Sequence, residues 1–405
     1  MDSATAHSEE ANVEVADIFR AHGEEYRRAH GMSGKQRAVM RAIENCRTAA
    51  CGSHLDQCDN CGFTDYNYNS CRDRHCPKCQ GSARHKWVSR RIEEVLPVAH
   101  YHAVFSLPHL LHDIVAHNRR LIYNLLFQSA AQTLLAFGRD PKWLGGEIGF
   151  YGVLHTWGQT LWQHPHLHFI VAGGALTREG RWVEPRYPAK FLFPIKALSK
   201  VFRGKFVEAL KAVQANGKLV IPPSQASLAE DEAFERFINR LVGRDWVAYC
   251  KPPFGDAAEV VRYIGRYTHR VAISNRRIAS YEAGAVTFHY KNYRKNRINW
   301  QWMQLDAGEF IRRFMWHVLP PGYHKIRHYG FLANGRRRAK TALIRTQLAA
   351  QGVSQDAKVS EESAPPNCPS CGDGRLRPLW VMDRLGQIVL KTYSPRMESL
   401  AWNSS

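Results

Sequence analysis

The sequence predicts an α+β protein: a helical, cysteine-rich module, then a central antiparallel sheet of the split β-α-β kind with helices on one face, then a basic C-terminal region. Three observations carry this expectation. After residue 98 the strand and helix patterns follow in the order β-α-β-β-α-β. Seven of the ten cysteines lie between Cys46 and Cys79, ahead of that run. Behind it, from Val261 to Arg345, eighteen Lys and Arg face three acids, Glu282, Asp306 and Glu309.

The 405 residues suggest two to four domains at roughly 100–200 residues each, and 44% hydrophobic residues suffice for a sizeable core. With 56 Lys and Arg against 36 Asp and Glu the net charge is +20, which attracts polyanions. Nucleic acid is favoured over an anionic membrane surface, because no basic amphipathic helix stands out. No apolar run approaches the ~18 residues of a membrane span, and the acidic start lacks a signal-peptide pattern. A cytosolic protein with reduced thiols is therefore expected, so the cysteine spacing calls for metal or burial. The expected divisions are a disordered stretch 1–14, a helical and Cys-rich module 15–97, the sheet domain 98–300, a basic region 301–350, and a linker and tail 351–405.

Apolar positions Val15, Ile18 and Phe19, then Val39, Met40 and Ile43, recur at helical spacing and predict two short helices. A basic helix from Ala83 to Leu96 is halted by Pro97. Strands are expected at Tyr101–Leu107, Ile148–Gly158, His166–Gly173 and Trp246–Pro252, with helices at Asn118–Phe137 and Glu230–Val242 between them. A further helix, Ala257 to Tyr267, leads into a strand VAIS (Val271–Ser274), and GAVTFHYKNYRKNR adds a basic, aromatic strand. Phe310–His317 reads as helical, and Gln351–Asn367 has linker composition.

In the Cys-rich block, CDNCGF and HCPKCQ each place two cysteines three apart, with fourteen residues between the pairs. Four thiolates so spaced, Cys58, Cys61, Cys76 and Cys79, can converge on one tetrahedral zinc, and a small loop-rich module of this kind needs such a metal to fold. Cys46, His54, Cys71 and His75 are candidates for a second site of two cysteines and two histidines. CPSC (Cys368, Cys371) is half a site, with His317, His324 and His328 as the nearest candidates to complete it, and Cys250 reads as a core residue. Among the cysteines, Tyr66, Tyr68, Arg72, Arg74 and Lys78 form a mixture suited to gripping phosphates and stacking bases. So do Tyr290, Lys291, Tyr293, Arg294, Arg297, Trp300 and Trp302 further on.

In HPHLHFI, side chains two apart share one face of a strand, so His166 and His168 project together. A hairpin turning near Leu161 sets position 155 opposite about 167 and brings His155 beside them. Three imidazoles with open positions describe a catalytic metal site. In RYIGRYTHR, Tyr263 and Tyr267 are four apart and lie above one another on a helix face, with Arg262, Arg266, His269 and Arg270 near to ease ionisation of a phenol. Two tyrosines so spaced are also a common packing pattern.

Together, CRDRHCPKCQ, HPHLHFIVAGG, YIGRYTHRVAISNRRI and IRHYGFLAN resemble the two-tyrosine HUH transposases of the insertion sequence 91 family, which move by a rolling-circle route. The likeness runs from about residue 15 to 372, with the motifs in the family's order. It implies an RRM-like HUH nuclease domain on the antiparallel sheet, with His166 and His168 as ligands of a catalytic Mg²⁺ or Mn²⁺. His155 fits the place of a third ligand, and Gln163 and His164 are also close. The resemblance further implies that Tyr263 and Tyr267 are nucleophiles forming 5′-phosphotyrosine, and that a structural-zinc domain helps recognise transposon-end DNA. The substrate is expected to be single-stranded DNA, handled in the cytoplasm on the nucleoid. A replication initiator or relaxase would share this chemistry. HPHLHFI also fits the histidine-triad nucleotide hydrolases, and a non-catalytic zinc-dependent DNA-binding protein is the third class weighed.

Overall fold

The computed structural model describes residues 13–187, 192–251, 259, 261–262, 265, 272–292, 299–353 and 367–390. Two amphipathic helices open it. Helix α1 (Val15–Ala29) buries Val15, Ile18, Phe19 and Tyr26. Helix α2 (Gly34–Glu44) starts at a capping box in which Ser33 Oγ accepts from the Gln36 N–H at 3.3 Å and Gln36 Oε1 accepts from the Ser33 N–H at 3.0 Å. A hairpin of β1 (Ser53–Cys58) and β2 (Thr64–Tyr68) follows, then α3 (Gln80–Glu94).

The sheet domain runs β3 (His100–Ser106), α4 (His112–His117), α5 (Arg119–Arg139), β4 (Glu147–Trp157), β5 (Gln163–Leu176), β6 (Trp182–Val183), α6 (Ile195–Ala215), α7 (Asp231–Val242) and β7 (Ala248–Lys251). Beyond it lie β8 (Ile278–Glu282), β9 (Ala285–Asn292), β10 (Asn299–Asp306), α8 (Ala307–Trp316), β11 (Ile326–Gly330), α9 (Arg337–Ala350), β12 (Leu376–Met382) and β13 (Ile388–Leu390). Strands β11-β4-β5-β3-β7 form the central sheet, every neighbouring pair antiparallel. The split sheet expected from sequence is present.

Strand alternation divides this sheet into two chemically different faces. Tyr101, Ala103 and Phe105 on β3, Phe150 and Leu154 on β4, and Leu167, Phe169 and Val171 on β5 enter one core with Phe127 of α5 and Phe202 and Phe206 of α6. Each such phenylalanine is fully buried, a contribution of about 1.5–3 kcal/mol apiece. A Cβ at Gly152 would collide with the Phe169 ring, so the glycine there makes room for a core aromatic. The opposite face carries His100 and His102 on β3, His155 on β4, and His166 and His168 on β5. Helix α6, with Leu198, Phe202, Phe206 and Leu210 at i, i+4 spacing, supplies much of the core and was not among the expected elements.

Three expectations need correction. Ala272–Ser274 form no strand, and Ala272 and Ile273 are buried instead in the core beneath α1 and α2; Val271 is outside the described residues. Strand β9 does not extend the central sheet but sits between β8 and β10 in a separate three-stranded sheet. That sheet packs on α8, whose Asp306 cap accepts from the Gly308 and Glu309 N–H groups at 2.7 and 3.3 Å. Phe19 of α1 meets Phe314 of α8 edge-on at 5.2 Å, so the N-terminal helices share a core with the basic region. Finally, residues 376–390 of the expected tail form β12 and β13, which join the hairpin in a sheet ordered β13-β12-β1-β2. The backbone amides of β12 bond across to β1, which holds that segment on the Cys-rich module.

Candidate metal centre and nucleic-acid interface

His155 on β4 stands directly opposite His166 on β5, and Val153 opposite His168. The register differs by one residue from the expected one: Trp157 stands opposite Gln163, and a bulge between His155 and Trp157 sets His155 opposite His166. The result is the expected convergence: one ring nitrogen from each of His155, His166 and His168 lies within 4.8 Å of the others. Enclosure by the sheet pushes the His166 ring down to about 3 and His168 well below the usual histidine range, each lowered further by its neighbouring imidazoles. Neutral rings offer lone pairs, the state a cation needs.

Two hydrogen bonds fix which nitrogen is offered. His166 Nδ1–H donates to the His164 carbonyl at 2.6 Å, leaving Nε2 as the donor atom for a metal. His168 Nδ1 and His102 Nε2 share a hydrogen bond of 2.8 Å, which leaves His168 Nε2 in the same role. His102 escaped the sequence reading. The signal was present, since His102 sits at an even position of the strand read at Tyr101–Leu107, on the face opposite the core aromatics.

Helix α3 lies on this histidine face, with Trp87 edge-on to Tyr151 at 5.6 Å. Glu259, Val261, Arg262 and Gly265 are helical, and Gly265 approaches Val88 of α3 so closely that a Cβ would not fit. Tyr263, Tyr267, Arg266 and Arg270 lie outside the described residues, as do Tyr293, Arg294 and Arg297.

The cysteines sort into two quartets, and neither is the one expected. Cys76 and Cys79 join Cys46 and Cys71, and Cys58 and Cys61 join Cys368 and Cys371, each quartet with its sulfurs within 4.8 Å. The hairpin explains the sorting. Cys46 and Cys71 flank its base, where the Arg47 N–H bonds the Asn69 carbonyl, and the turn Asp73–Cys79 brings the second knuckle beneath them. Cys58 and Cys61 occupy the hairpin's other end, about 20 Å away along a six-residue strand.

The two histidines proposed for the second site are engaged elsewhere. His54 Nδ1 bonds Asn69 Oδ1 at 2.8 Å. His75 is bonded through Nδ1 to Asp73 at 2.9 Å and accepts the Leu319 N–H on Nε2 at 3.2 Å. Of the rings suggested to complete the CPSC half-site, His317 bonds Thr156 and the Leu161 carbonyl, His328 lies against Tyr151, and His324 is outside the quartet. Cys250 is buried in the main core, and burial pushes its thiol up to about 12.

A family model described as "Transposase zinc-binding domain" matches residues 18–107, and one described as "Putative transposase" matches residues 149–340. The chain is 45% identical over 387 residues to "Putative transposase y4qJ" of Sinorhizobium fredii (strain NBRC 101917 / NGR234), covering 91% of this chain and 96% of that one. The chain belongs to the insertion sequence 91 family of transposases. It is also 29% identical over 301 residues to "Transposase for insertion sequence element IS801" of Pseudomonas savastanoi pv. phaseolicola, covering 74% and 69% of the two chains. No solved structure matches at a significant level. Membership in this family decides against a histidine-triad nucleotide hydrolase and against a purely DNA-binding protein.

As a transposase of this family the protein acts on DNA, and the described basic residues differ in what they can offer it. Arg72 is exposed. Arg74 is turned inward, donating to the Tyr323 and Pro320 carbonyls at 2.6 and 3.4 Å, and Lys78 pairs with Glu14. On β9 and β10, Lys291 lies opposite Trp300 and His289 opposite Trp302. The Lys291 ammonium sits 4.9 Å over the Trp300 ring, and the two tryptophans are 55% and 62% exposed, on the face turned away from buried Phe288. Exposed indoles beside a cation form a platform on which bases can stack. Among the described residues no helix is long and apolar enough to cross a membrane.

Proposed function

We propose that this transposase nicks and rejoins single-stranded DNA at transposon ends through 5′-phosphotyrosine linkages, as rolling-circle transposition requires. The observation that carries the reading is the convergence of His155, His166 and His168 on one sheet face, with Nδ1 of His166 and His168 already bonded and Nε2 left for a cation. Tyr263 and Tyr267 are the proposed nucleophiles, a reading supported by the resemblance of YIGRYTHR to the family's two-tyrosine motif. A Mg²⁺ or Mn²⁺ bound by the histidines supplies Lewis-acid neutralisation of charge at the scissile phosphate.

The remaining work falls to the chain's own groups. A tyrosine Oη attacks phosphorus, forming the P–Oη bond as the P–O3′ bond breaks; the phenol proton leaves through solvent and the 3′-oxygen takes one up. One ester replaces another, so the 3′-OH of a second strand can reverse the step without an external energy source. Two tyrosines allow two such linkages at once. Lys291, Trp300 and Trp302 hold the strand by charge and stacking. Arg72, Arg266, Arg270, Arg294, Arg297 and Tyr293 are proposed to extend that grip, with the protein at work on the nucleoid in the cytoplasm. The Cys46, Cys71, Cys76 and Cys79 quartet holds a structural zinc within the matched zinc-binding domain.

The test uses oligonucleotides spanning an element end, labelled on either side of the cut, with Mg²⁺, Mn²⁺ or chelator. The expected result is a protein-linked band carrying only the label 3′ of the cut, lost with chelator, in His166→Ala and in the Tyr263→Phe, Tyr267→Phe double variant. Retarded DNA without any covalent band, on a verified end, would contradict the proposal.

A further inference from the structure

The zinc-binding family model stops at residue 107, yet the Cys58 and Cys61 knuckle has its partners at Cys368 and Cys371, 307 residues further along the chain. Both knuckles read CxxCG and fold alike. The Cys58 N–H donates to the Phe63 carbonyl and the Gly62 N–H to the Cys58 carbonyl; the Cys368 N–H donates to the Gly374 carbonyl and the Gly372 N–H to the Cys368 carbonyl. Gly62 and Gly372 close the turns at φ of 74° and 75°, a left-handed conformation that favours glycine. Each leading sulfur also accepts backbone N–H groups at 3.4 Å, from Asn60 and Cys61 on Cys58 and from Ser370 on Cys368.

The sulfur spacing is that of a metal site. A tetrahedron with zinc–sulfur bonds of about 2.3 Å has edges of about 3.8 Å. Cys58 and Cys371 are 3.8 Å apart, and Cys61 and Cys368 are 3.6 Å apart. Pairing of β12 with β1 sets this geometry, with Cys58 opposite Leu376. Asp59 ties the two knuckles beside it, accepting from the Arg375 N–H at 2.8 Å and Arg377 Nε at 2.9 Å.

We infer that Cys58, Cys61, Cys368 and Cys371 hold a second structural zinc, which fastens the C-terminal strands to the N-terminal module. The module is then incomplete without the end of the chain. This zinc also fixes Trp380 of β12 beside exposed Tyr66 of β2, ring centroids 6.0 Å apart, so the aromatic surface of the hairpin depends on it. The inference stands apart from the tyrosine chemistry and can fail without it.

The experiment is zinc content per chain of the full-length protein purified under reducing conditions, for wild type and the Cys61→Ser, Cys371→Ser variant. Two equivalents falling to one, with the far-ultraviolet circular dichroism otherwise retained, is the expected result. One equivalent in both proteins, or two in both, overturns it. Because a variant can lose both metals by misfolding, alkylation of wild type mapped by mass spectrometry gives a second measure. Cys61 is exposed, so a bound zinc is what would protect it. Protection of all four thiols that ends together on chelation supports the site. Free labelling of Cys61 in the zinc-loaded protein overturns it.

Discussion

His102 Nε2 lies 2.8 Å from His168 Nδ1, with the two rings stacked 14° from parallel and 5.1 Å apart. The contact crosses from β3 to β5 and orients the ring that presents Nε2 to the proposed cation. Replacing His102 with Ala removes that bond and leaves the three ligands in place. Mn²⁺ affinity, followed by electron paramagnetic resonance without DNA, is expected to fall about 10–100-fold, and His102→Asn to recover part of it. Unchanged Mn²⁺ affinity in His102→Ala would remove this positioning role.

Stacking and charge on the β9–β10 platform separate in a salt titration. Trp300→Ala and Trp302→Ala should each weaken binding of a single-stranded oligonucleotide by about 1–3 kcal/mol with the salt slope unchanged. Lys291→Ala should instead lower that slope by about 0.7. Fluorescence anisotropy at four or five salt concentrations distinguishes the two, and wild-type affinity in both tryptophan variants would move the strand to another surface.

Phe169 fills the core beneath the histidine strand and packs edge-on against Phe105 and Phe150 at 5.8 and 5.4 Å. Phe169→Ala should cost about 3–5 kcal/mol in a urea titration and disturb the strand that carries His166 and His168.

His317 predicts an acid-sensitive term in stability. It is buried between Thr156 and the Leu161 carbonyl, and enclosure, with Arg119 and His75 nearby, pushes its ring down to about 4. The unfolded chain binds a proton near pH 6.5 that the folded protein refuses until about pH 4. Its neutral form is therefore accommodated above pH 6.5, and stability falls as pH drops from there toward 4, by about 3 kcal/mol in full. Other buried histidines titrate in the same window, so the check is the difference between wild type and His317→Asn. The variant should lose about one proton's worth of slope below pH 6.5.

What the sequence disclosed follows the range of the interactions. His155, His166 and His168 were legible because strand alternation and a short hairpin fix their neighbours locally. The split antiparallel sheet followed from the sequence of strands and helices, but its edge strand β11 lies in the stretch expected only as a basic region, and α6 was not expected despite its regular Leu198, Phe202, Phe206 and Leu210 spacing. The cysteine quartets were not legible. Cys58 and Cys76 are near in sequence, but hairpin base and tip are separate places, and the partners of Cys58 arrive through β12 from the far end of the chain. His102 was missed for a related reason: its role exists only once β3 lies beside β5.

The central claim is covalent chemistry at Tyr263 or Tyr267, and peptide mapping of a trapped adduct tests it most directly. The protein would be incubated with Mn²⁺ and a suicide oligonucleotide carrying a verified element end, digested with protease and nuclease, and read by mass spectrometry. The account predicts a 5′-nucleotide phosphate on Tyr263 or Tyr267, on the other tyrosine when one is changed to Phe, and on neither in the double variant. An adduct on any other residue, or strand cleavage that persists in the double variant, would contradict it.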